Sequence, residues 1–586
     1  MAKPPHETDL TFLQLSEEDR EDIIENIIDH IHGPPSDIVP PEHEAAYKPY
    51  DANWPQPSHS LPNDFIAWLS SSSFNDVEGS RGSWLTEVGR EGAGFFLSLS
   101  PTLASKPNNP WQNIQVIGHC CRDNSVQSYQ DGLVNLCGYA QHVFRGQPSR
   151  LFLHGLYLHG NLVEQWKFDR SGIYCFRSFD AQKEPGRLQC TMHDYRMMTD
   201  QELGMSELIK EDEKGRFVVL QDDAATSMEK LYLQGEPVHV SEDIVGEGTT
   251  CYLARMPDED RWGYIVKFKW RRVSARQEEA LLKLANGKNA KGIIKLHYDQ
   301  AFSSTTELRQ DHQRGPYRKL LGELDRNEEC KDLKGKVNTP SKGKKGILDL
   351  TEETEDNFED RTFVLVVTSP AGRPLQTFKN RLELLIVLRD AVKAHRSLFQ
   401  DAKILHQDIS GRNIIIVDAK NSGDSEGILI DLDAAIELAE ASHTQRIFGT
   451  RLFMAIGTLK KRIRRYRYDL ESFLYVFLWT IIANGEENLP QTSKLRQWSQ
   501  GSWDDSARLK TSDMDKTNFE DILAEFTPKF HSFKPLARKL RELLFPVVDG
   551  ELWTGTNGSL EATKELYDGI IGAFEDAMVY ERGSAA

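Results

Sequence analysis

The sequence predicts an α+β fold: a small α+β module, then a lobe built on an antiparallel β-sheet, then a mainly helical lobe. Two observations predict it. Short apolar runs separated by turn-rich breaks follow one another between residues 151 and 179, which favours an antiparallel meander because antiparallel strands can be joined by tight turns. Further strand patterns and one helix follow from 236 to 301, and beyond the apolar run Phe363–Val367 the pattern becomes predominantly helical.

Charge and cysteine content exclude several classes of protein. Lysine and arginine number 71 against 89 aspartates and glutamates, a formal net charge of −18, whereas a protein that coats nucleic acid or an anionic membrane needs a positive surface. Seven cysteines without a C-x-x-C pair predict neither a disulfide framework nor a zinc module. No apolar signal segment follows Met1, and the most apolar run, Phe473–Ala483, is shorter than the ~20 residues of a membrane span. We therefore expect an intracellular protein, cytoplasmic or nuclear, with no membrane partner and no direct nucleic-acid partner.

The first 62 residues are expected to form an amphipathic helix and a linker. Residues 16–32 begin with Ser16, a suitable N-cap, and carry isoleucines at helical spacing on one face. Such a helix more often packs against a domain than binds a separate partner. Residues 34–62 contain eight prolines and no periodic pattern, which is typical of a linker.

Residues 63–235, here called the N-terminal module, have the pattern of apolar residues that is typical of a folded α+β domain. The pattern predicts a helix from Val126 to Phe144, followed by strands at Leu151–Leu158, Leu162–Phe168 and Ile173–Phe179. His154 and His159 lie on these strands, and their spacing is not that of metal ligands. We therefore expect them to be ordinary side chains of the sheet rather than zinc ligands.

Residues 236–586 are expected to form the two lobes, interrupted by an insert. Residues 303–360 are rich in charge and poor in apolar residues, so we expect much of this insert to be disordered.

The segment His406–Val417 carries the clearest chemical signal. An aspartate, Asp408, is followed five residues later by Asn413 and then by an apolar strand. In phosphoryl transfer, an aspartate in this position orients the attacking hydroxyl and accepts its proton, while the asparagine oxygen binds magnesium. Eighteen residues after Asn413, the short apolar strand Gly427–Ile430 ends at Asp431, whose carboxylate would bind the metal that bridges the phosphates.

Three upstream features complete the set that a kinase requires. Gly246 and Gly248 form a G-x-G turn between two apolar strands, the first of them at Ile244 and Val245. Lys267 ends a later strand pattern, and Glu278 begins a helix on which it can face that lysine. Each feature alone is weak, since a lone G-x-G usually marks a hairpin and a lone strand lysine is usually solvated. All five in the right order predict a protein-kinase-like fold.

Longer stretches of the chain resemble the fungal-type protein kinase family. These stretches include Pro370-Ala-Gly-Arg-Pro-Leu375, Gly427-Ile-Leu-Ile-Asp-Leu-Asp-Ala-Ala-Ile436, Phe448-Gly-Thr-Arg-Leu-Phe-Met-Ala455 and Asp469-Leu-Glu-Ser-Phe-Leu-Tyr-Val-Phe-Leu-Trp479. Within the N-terminal module, Phe168-Asp-Arg-Ser-Gly172 and Glu202-Leu-Gly204 also resemble what precedes the kinase domain in this family. The resemblance covers roughly residues 60 to 580.

The resemblance implies an ATP site. Lys267 would contact the α- and β-phosphates and pair with Glu278, and Gly246 and Gly248 would cover the nucleotide. The segment that grips adenine would lie near Val367 to Gly372, with Val367 and Thr368 at its start.

It also implies the catalytic groups of the helical lobe. Asp408 would be the catalytic base, Asn413 and Asp431 would hold Mg²⁺, and Asp469 would support the catalytic loop from the central helix. Arg412 would replace the lysine that serine/threonine kinases place two residues after the base. The alternative interpretation, that Arg412 merely points into solvent, is equally well supported by the sequence.

Several residues depart from the pattern of the family or of kinases generally. Gln407 replaces the arginine that receives an activation-loop phosphate, so we expect activity that does not need a phosphate on Thr444 or Thr450. Leu432-Asp433 replaces phenylalanine-glycine, as it often does in this family, which makes large flips of this loop less favourable. Gly457 replaces the glutamate that commonly anchors the activation segment, and this is the main argument for reduced or lost activity. Cys251 replaces the third loop glycine.

The N-terminal module of the family has been likened to a nuclease-type fold with an acid-x-lysine pair on a strand. The corresponding strand here, Trp111–Gly118, carries neither an acid nor a lysine. We therefore assign this module no catalysis of its own.

Residues 460–467, here called the basic segment, carry six cations within eight residues. One reading is an electrostatic docking site for an acidic or phosphorylated protein substrate. The other, somewhat favoured, is a solvated loop that could also serve as a nuclear-import signal.

Taken together, these features favour an ATP- and Mg²⁺-dependent protein kinase that acts on serine or threonine hydroxyls of protein substrates. A pseudokinase scaffold that binds nucleotide without transfer remains open. So does a small-molecule phosphotransferase, although the segments around Thr450 and Asp469 count against it.

Overall fold

The computed structural model describes most of the chain after residue 79. The described ranges are 80–89, 92–100, 110–221, 228–241, 243–309, 358–418, 424–440, 449–486 and 488–584, together with residues 20, 23, 31, 32, 65, 66, 68 and 69. The proline-rich linker and the greater part of the charged insert lie outside these residues.

The chain divides into two compact units. The first comprises Met1–Asp260, Val266–Ala275 and Gln300–Leu365, and the second comprises Arg261–Ile265, Arg276–Asp299 and Val366–Ala586. The N-terminal module and most of the strands that follow it therefore belong to one unit, and the helical part of the chain belongs to the other.

The N-terminal module is built on a seven-stranded sheet of order β1-β7-β6-β5-β4-β3-β2. Its elements are β1 Ile31–His32, β2 Ser83–Gly89, β3 Gly92–Ser98, β4 Ile114–Cys121, α1 Val126–Gly146, β5 Leu153–His159, β6 Leu162–Asp169, β7 Gly172–Asp180 and α2 Pro185–Met197. The predicted helix and the three predicted strands are confirmed as α1 and β5–β7. The predicted meander is confirmed too, since β5 pairs with β6 and β6 with β7, both antiparallel. Strand β4 instead pairs with β5 in parallel, because α1 crosses over between them.

The helix predicted over residues 16–32 is wrong at its end. Arg20 and Ile23 are helical, and Ile23 is buried in the module core, as expected of a helix packed on a domain. Ile31 and His32, however, form β1, which pairs in parallel with Ile173 and Tyr174 of β7. The sheet edge offers backbone partners to these two residues, and this pairing replaces the helical continuation that their isoleucine pattern suggested.

A second sheet follows, of order β14-β15-β13-β12-β10-β9-β8, with β11 paired to β12. Its strands are β8 Lys210–Asp212, β9 Gly215–Gln221, β10 Met228–Leu233, β11 His239–Val240, β12 Thr250–Arg255, β13 Tyr264–Arg272, β14 Lys295–Ser304 and β15 Arg361–Ser369. The expectation that the insert begins at 303 is wrong at its first residues, because β14 runs to Ser304 and the short helix α4, Thr305–Arg309, follows it. Both ends of α4 are buried, which the charge count could not indicate.

The second unit is mainly helical around one large apolar core. Its helices are α3 Glu278–Gly287, α5 Arg381–Gln400, α6 Ile456–Leu459, α7 Tyr466–Ala483, α8 Trp503–Asp513, α9 Phe519–Ala524, α10 Lys534–Leu544 and α11 Leu560–Ser584. Its short strands are β16 Arg373–Pro374, β17 Ile404–Leu405, β18 Ile414–Ile416, β19 Gly427–Leu429, β20 Ile436–Glu437, β21 Val547–Val548 and β22 Glu551–Leu552. Among the described residues, no helix combines the length and the apolarity needed to cross a membrane.

Candidate active site

A short hairpin brings two of the predicted metal ligands together. Strands β18 and β19 are antiparallel with Ile414 opposite Leu429, so the residue before one strand lies beside the residues after the other. The Ile430 N–H accordingly donates to the Asn413 carbonyl at 3.0 Å, and Asp431 follows directly. Asp431 has a φ of +67°, a left-handed conformation that aspartate tolerates better than most residues and that turns the chain sharply after the strand.

Asn413 is fixed by the residue predicted to be the catalytic base. Its Nδ2 donates to the Asp408 carbonyl at 2.8 Å and to Asp408 Oδ2 at 3.0 Å. Because both bonds use the amide nitrogen, the amide oxygen of Asn413 faces away from Asp408. An oxygen presented in this way is the type of ligand that magnesium prefers.

The second oxygen of Asp408 is bound by Thr450. Oδ1 accepts the Thr450 N–H at 2.8 Å and the Thr450 hydroxyl at 3.0 Å. The neighbouring Gly449 has a φ of +108°, and a Cβ there would lie 3.2 Å from the same oxygen. The sequence patterns indicated Thr450 only as a position that could carry a regulatory phosphate. The spacing of Gly449-Thr450 before the Phe-Met-Ala motif is the signal that could have identified this contact.

The catalytic loop, residues 406–413, is supported from the central helix α7 by Asp469. Its Oδ2 accepts the backbone N–H groups of His406 and Gln407 at 3.1 and 3.2 Å. His395 donates its Nε2–H to the same oxygen at 2.8 Å, and its Nδ1 is hydrogen-bonded to the Tyr567 hydroxyl, also at 2.8 Å. A chain of hydrogen bonds thus connects α11 to the catalytic loop.

Asp469 is ionised although it is buried. Burial alone would raise the pKa of its carboxyl, but the hydrogen bond and charge of His395, the charge of His406 and the Gln407 N–H together lower that pKa. A buried carboxylate with these donors remains a strong acceptor over a wide pH range.

Glu278 lies at the first position of α3 and reaches the residues that follow strand β19. Its Oε1 accepts the Leu432 N–H at 3.3 Å. Glu278, Asp431 and Asp433 each place one carboxylate oxygen within 4.8 Å of the others. Asp433, which sequence analysis noted only as a departure from the kinase pattern, therefore belongs to this group. Carboxylate oxygens at this separation suit a hard divalent cation such as Mg²⁺.

The predicted phosphate-binding residues lie in the first unit. Lys267 is half-buried on β13, whose core face is formed by Val266, Phe268 and Trp270. Lys269 lies on the same face as Lys267, because strand residues two apart point the same way, and it is fully buried. Lys269 was not among the predicted residues, although the i, i+2 spacing of the two lysines indicates that both lie on one face of the strand.

Gly246 and Gly248 lie in the connection of residues 241–249 between β11 and β12, here called the glycine loop. The apolar strand that sequence analysis placed directly before them, at Ile244 and Val245, is wrong. Residues 239–240 take that place by pairing with Thr250 and Cys251. Ile244 is instead buried in the core of the N-terminal module, and Val245 packs against that core.

The remaining predicted residues are placed as follows. Val367 is buried and Thr368 is half-buried near the end of β15, and beyond them the Ala371 N–H donates to the Gly263 carbonyl at 2.9 Å. Arg412 is exposed, and Ser410, which stands where serine/threonine kinases have lysine, is buried.

Comparison with known families decides the identity. The model of the fungal protein kinase family matches residues 94–481, more than half of the chain. The chain belongs to the fungal protein kinase family. This confirms the predicted resemblance, and the α+β architecture with an antiparallel sheet and a helical unit is that of a protein-kinase-like fold. No curated protein sequence matches the chain. Among solved structures it is similar to vaccinia related kinase 3, with 12% identity and a TM-score of 0.36 over 62% of this chain and 91% of that one.

The fungal protein kinase anchors its activation segment, residues 431–459, without the usual glutamate. Lys510 of α8 is fully buried and donates to the carbonyls of Arg451, Leu452 and Met454 at 3.3, 2.8 and 2.6 Å. Burial lowers the pKa of Lys510 to about 7, with Glu471 opposing the shift. These bonds fix the backbone just before Gly457.

Glu471 of α7 provides the second anchor. Its Oε1 accepts the Ile456 N–H at 2.6 Å, and its Oε2 pairs with Arg467 at 2.8 Å, both side chains being buried. At Gly457 itself a Cβ would lie 2.2 Å from the ring of Tyr468, so no larger residue fits. The Tyr468 ring occupies the space that a side chain at position 457 would need.

The basic segment of this kinase is only partly a surface. Arg467 is buried in its pair with Glu471, and Arg464 is buried with a 2.8 Å bond to the Thr458 hydroxyl. Its other cations are exposed: Lys460, Lys461, Arg462 and Arg465. The reading of all eight residues as one solvated loop is therefore wrong, because α7 begins at Tyr466 and takes Arg467 into the core.

Proposed function

We propose that this fungal protein kinase is an active enzyme that transfers the γ-phosphate of ATP, with Mg²⁺, to serine or threonine hydroxyls of protein substrates. The observation that carries the proposal is the fixed carboxylate of Asp408. Asn413 holds one of its oxygens and Thr450 the other, and the backbone before it is bound by the buried Asp469. A carboxylate held so firmly is preorganised to orient an attacking hydroxyl and to accept its proton.

Asp408 can perform this role because its Oδ2 accepts one hydrogen bond, from Asn413, and keeps a second lone-pair direction for the substrate hydroxyl. The hydrogen bonds from Asn413 and Thr450 fix the direction of the lone pairs of Asp408. The substrate hydroxyl gives its proton to Asp408 as its oxygen bonds to the γ-phosphorus, and the bond from phosphorus to the bridging oxygen of ADP breaks. Most of the rate gain would come from positioning and charge neutralisation.

Asn413 and Asp431 are the residues that would hold Mg²⁺, with Asp433 and Glu278 near enough to contribute a carboxylate oxygen. The bound metal would neutralise charge on the phosphates during transfer. Lys267 and the glycine loop would bind the phosphates, and Val367 and Thr368 would lie beside adenine.

The main argument for a pseudokinase was the missing glutamate at Gly457. Lys510 and Glu471 hold the same stretch of backbone by buried hydrogen bonds. The activation segment is therefore anchored by other means, which supports the active enzyme over the scaffold.

The test uses the purified full chain with labelled ATP, Mg²⁺ and a degenerate library of serine-, threonine- and tyrosine-containing peptides. We expect phosphate on serine or threonine peptides, and loss of this transfer in Asp408→Ala. Asp418→Ala is the matched control, because Asp418 is exposed at the far end of β18 and should leave transfer unchanged. Mg·ATP binding without transfer, equal in wild type and Asp408→Ala, would instead identify a scaffold.

A further inference from the structure

One turn of the N-terminal module contacts the glycine loop and the two segments that flank the insert, through three successive residues. Asp169, Arg170 and Ser171 form the turn between β6 and β7, and all three are buried. The sequence around them, Phe168-Asp-Arg-Ser-Gly172, looks like an ordinary polar hairpin turn. Polar turns are normally exposed, so the burial of this one requires partners that replace water.

Arg170 supplies contacts to the glycine loop. Its Nη1 donates to the carbonyls of Asp243 and Ile244 at 2.5 and 3.2 Å, and its own carbonyl accepts the Gly246 N–H at 2.9 Å. A Cβ on Gly248 would lie 2.4 Å from Arg170 Nε, so the guanidinium fills the space beside this second glycine. The same guanidinium stacks over the ring of Phe144, 4.4 Å from its centre.

The flanking residues attach the turn to the start and end of the insert. Asp169 accepts two hydrogen bonds of 2.7 Å from Arg309, and this pair is buried. Ser171 Oγ lies 2.7 Å from the Thr305 hydroxyl and donates to the Glu359 carbonyl at 2.5 Å. The turn is therefore fixed to the segments on both sides of the insert, independently of the glycine loop.

The loop is also held by apolar packing on one side and by the sheet on the other. Ile244 is 2% exposed, within the same core as Phe168 and Ile173. The Glu247 carbonyl accepts the Trp270 N–H of β13, the strand that carries Lys267, at 2.7 Å. Freeing the loop would expose a buried isoleucine and leave the Arg170 guanidinium buried without its acceptors, and both changes are unfavourable. Nucleotide binding is therefore expected to find the loop already in this position.

We propose that Arg170 of the N-terminal module is a positioning residue for the nucleotide site: it fixes the glycine loop so that the loop binds the phosphates without first being ordered. A glycine-rich segment loses more conformational freedom on ordering than any other, and a fixed loop avoids this loss when the ligand binds. The module thus contributes to nucleotide affinity without contacting the nucleotide. This rests on the proposed function only in assigning phosphate binding to the glycine loop.

The experiment compares Arg170→Met with Arg170→Lys and with Arg150→Met in the full chain. Arg150 is the matched control, since it is equally buried in the same module but donates to carbonyls of the module itself, among them Gln115 and Leu203. Hydrogen exchange of residues 243–253 reports the position of the loop, and titration with Mg·ATP gives Kd. Thermal unfolding shows how much each variant destabilises the fold.

We expect Arg170→Met to raise the Kd for Mg·ATP about tenfold, equivalent to about 1.4 kcal/mol, and to lose exchange protection in residues 243–253. Arg170→Lys should restore part of both. Arg150→Met should lower the unfolding temperature but leave Kd and the protection of the loop unchanged. Where transfer is measurable, Arg170→Met should raise KM for ATP with little change in KM for the peptide.

Unchanged Kd in Arg170→Met, or tighter binding with a deprotected loop, would overturn the proposal; the second result would mean that the module holds the loop away from the nucleotide. An equal rise of Kd in Arg150→Met would also overturn it, by showing general destabilisation. Wild-type protein that binds Mg·ATP but transfers no phosphate would refute the proposed function alone, because exchange and affinity do not depend on transfer. Absence of any Mg·ATP binding by the wild type would overturn both.

Discussion

Thr450 donates both its backbone N–H and its hydroxyl to one oxygen of Asp408, at 2.8 and 3.0 Å. The two residues are 42 positions apart, and this contact connects the activation segment directly to the proposed catalytic base. The position of the segment and the direction of the carboxylate are therefore coupled. No phosphate is needed for this coupling, which agrees with the glutamine at position 407.

Substitution of Thr450 should reduce turnover more than substrate binding. Thr450→Val keeps the shape and the backbone N–H but removes a hydroxyl bond to a charged acceptor, worth about 1.5–3 kcal/mol. We expect kcat to fall by about tenfold or more with KM for ATP nearly unchanged. Thr450→Ser should retain most activity. Thr450→Glu should be as inactive as Asp408→Ala, because a second carboxylate would repel Asp408. An active Thr450→Glu protein would contradict this role and indicate regulation by phosphorylation.

Restoring the glutamate at position 457 should harm the protein rather than improve it. A Cβ at Gly457 would lie 2.2 Å from the Tyr468 ring, so even Gly457→Ala overpacks the site, at about 1–3 kcal/mol. Gly457→Glu should cost more and should lower activity. Gly572→Ala is the matched control, since that helical glycine has open space around its Cβ and should be neutral or slightly stabilising. Thermal unfolding of the three variants measures the effect, and a more active Gly457→Glu would contradict it.

The local patterns of the catalytic segments could be read from the sequence. Asp408, Asn413 and Asp431 follow or precede short apolar strands, and a hairpin between two such strands places their ends together whatever the rest of the fold does. The three strands and the helix of the N-terminal module were predictable for the same reason, because their periodicity is local.

The residues that hold the site in place could not be predicted from local sequence patterns. Lys510 contacts backbone more than 50 residues earlier, and a lysine on a helix resembles any solvated lysine. Arg170 lies in a polar turn, and only the tertiary structure reveals that the glycine loop is its partner. Ile244 had the apolar neighbours of a strand, but its burial in the core of the N-terminal module decided its place. Long-range partners of single residues leave no periodic signal.

The two lysines of β13 should separate nucleotide binding from stability. Lys267 is half-buried, so a ligand can reach it, whereas Lys269 has no exposed surface. We expect Lys267→Met to raise the Kd for Mg·ATP more than tenfold with a small change in stability. Lys269→Met should lower the unfolding temperature, because the fully buried side chain has an interaction that methionine would not replace. The reverse pattern would identify Lys269 as the phosphate-binding lysine.

Substitutions in the basic segment should distinguish its exposed cations from its buried ones. Lys460→Glu with Lys461→Glu changes charge only at the surface, and we expect a several-fold rise in KM for acidic peptides that weakens at high salt. KM for neutral peptides should stay unchanged. Arg467→Met should act differently, lowering stability because Glu471 loses its buried partner. Equal effects of the double substitution on acidic and neutral peptides would rule out an electrostatic docking site.

The pH dependence of stability should identify Lys510 as a buried base. Burial lowers its pKa to about 7 in the folded protein, against 10.5 for the free side chain. Between these values the unfolded chain binds a proton that the folded protein lacks, so the free energy of unfolding rises with pH, by up to about 1.4 kcal/mol per pH unit. Below pH 7 both states bind the proton and the contribution no longer changes.

Lys510→Met removes this titration. We therefore expect the free energy of unfolding of the wild type, relative to Lys510→Met, to increase between pH 7 and pH 10 in chemical denaturation. Lys516→Met, at an exposed lysine, is the matched control. A wild-type advantage over Lys510→Met that is constant or falls with pH would mean that the three carbonyl acceptors keep Lys510 charged in the folded protein. In that case the activation segment would be anchored by an ammonium ion rather than by a neutral amine.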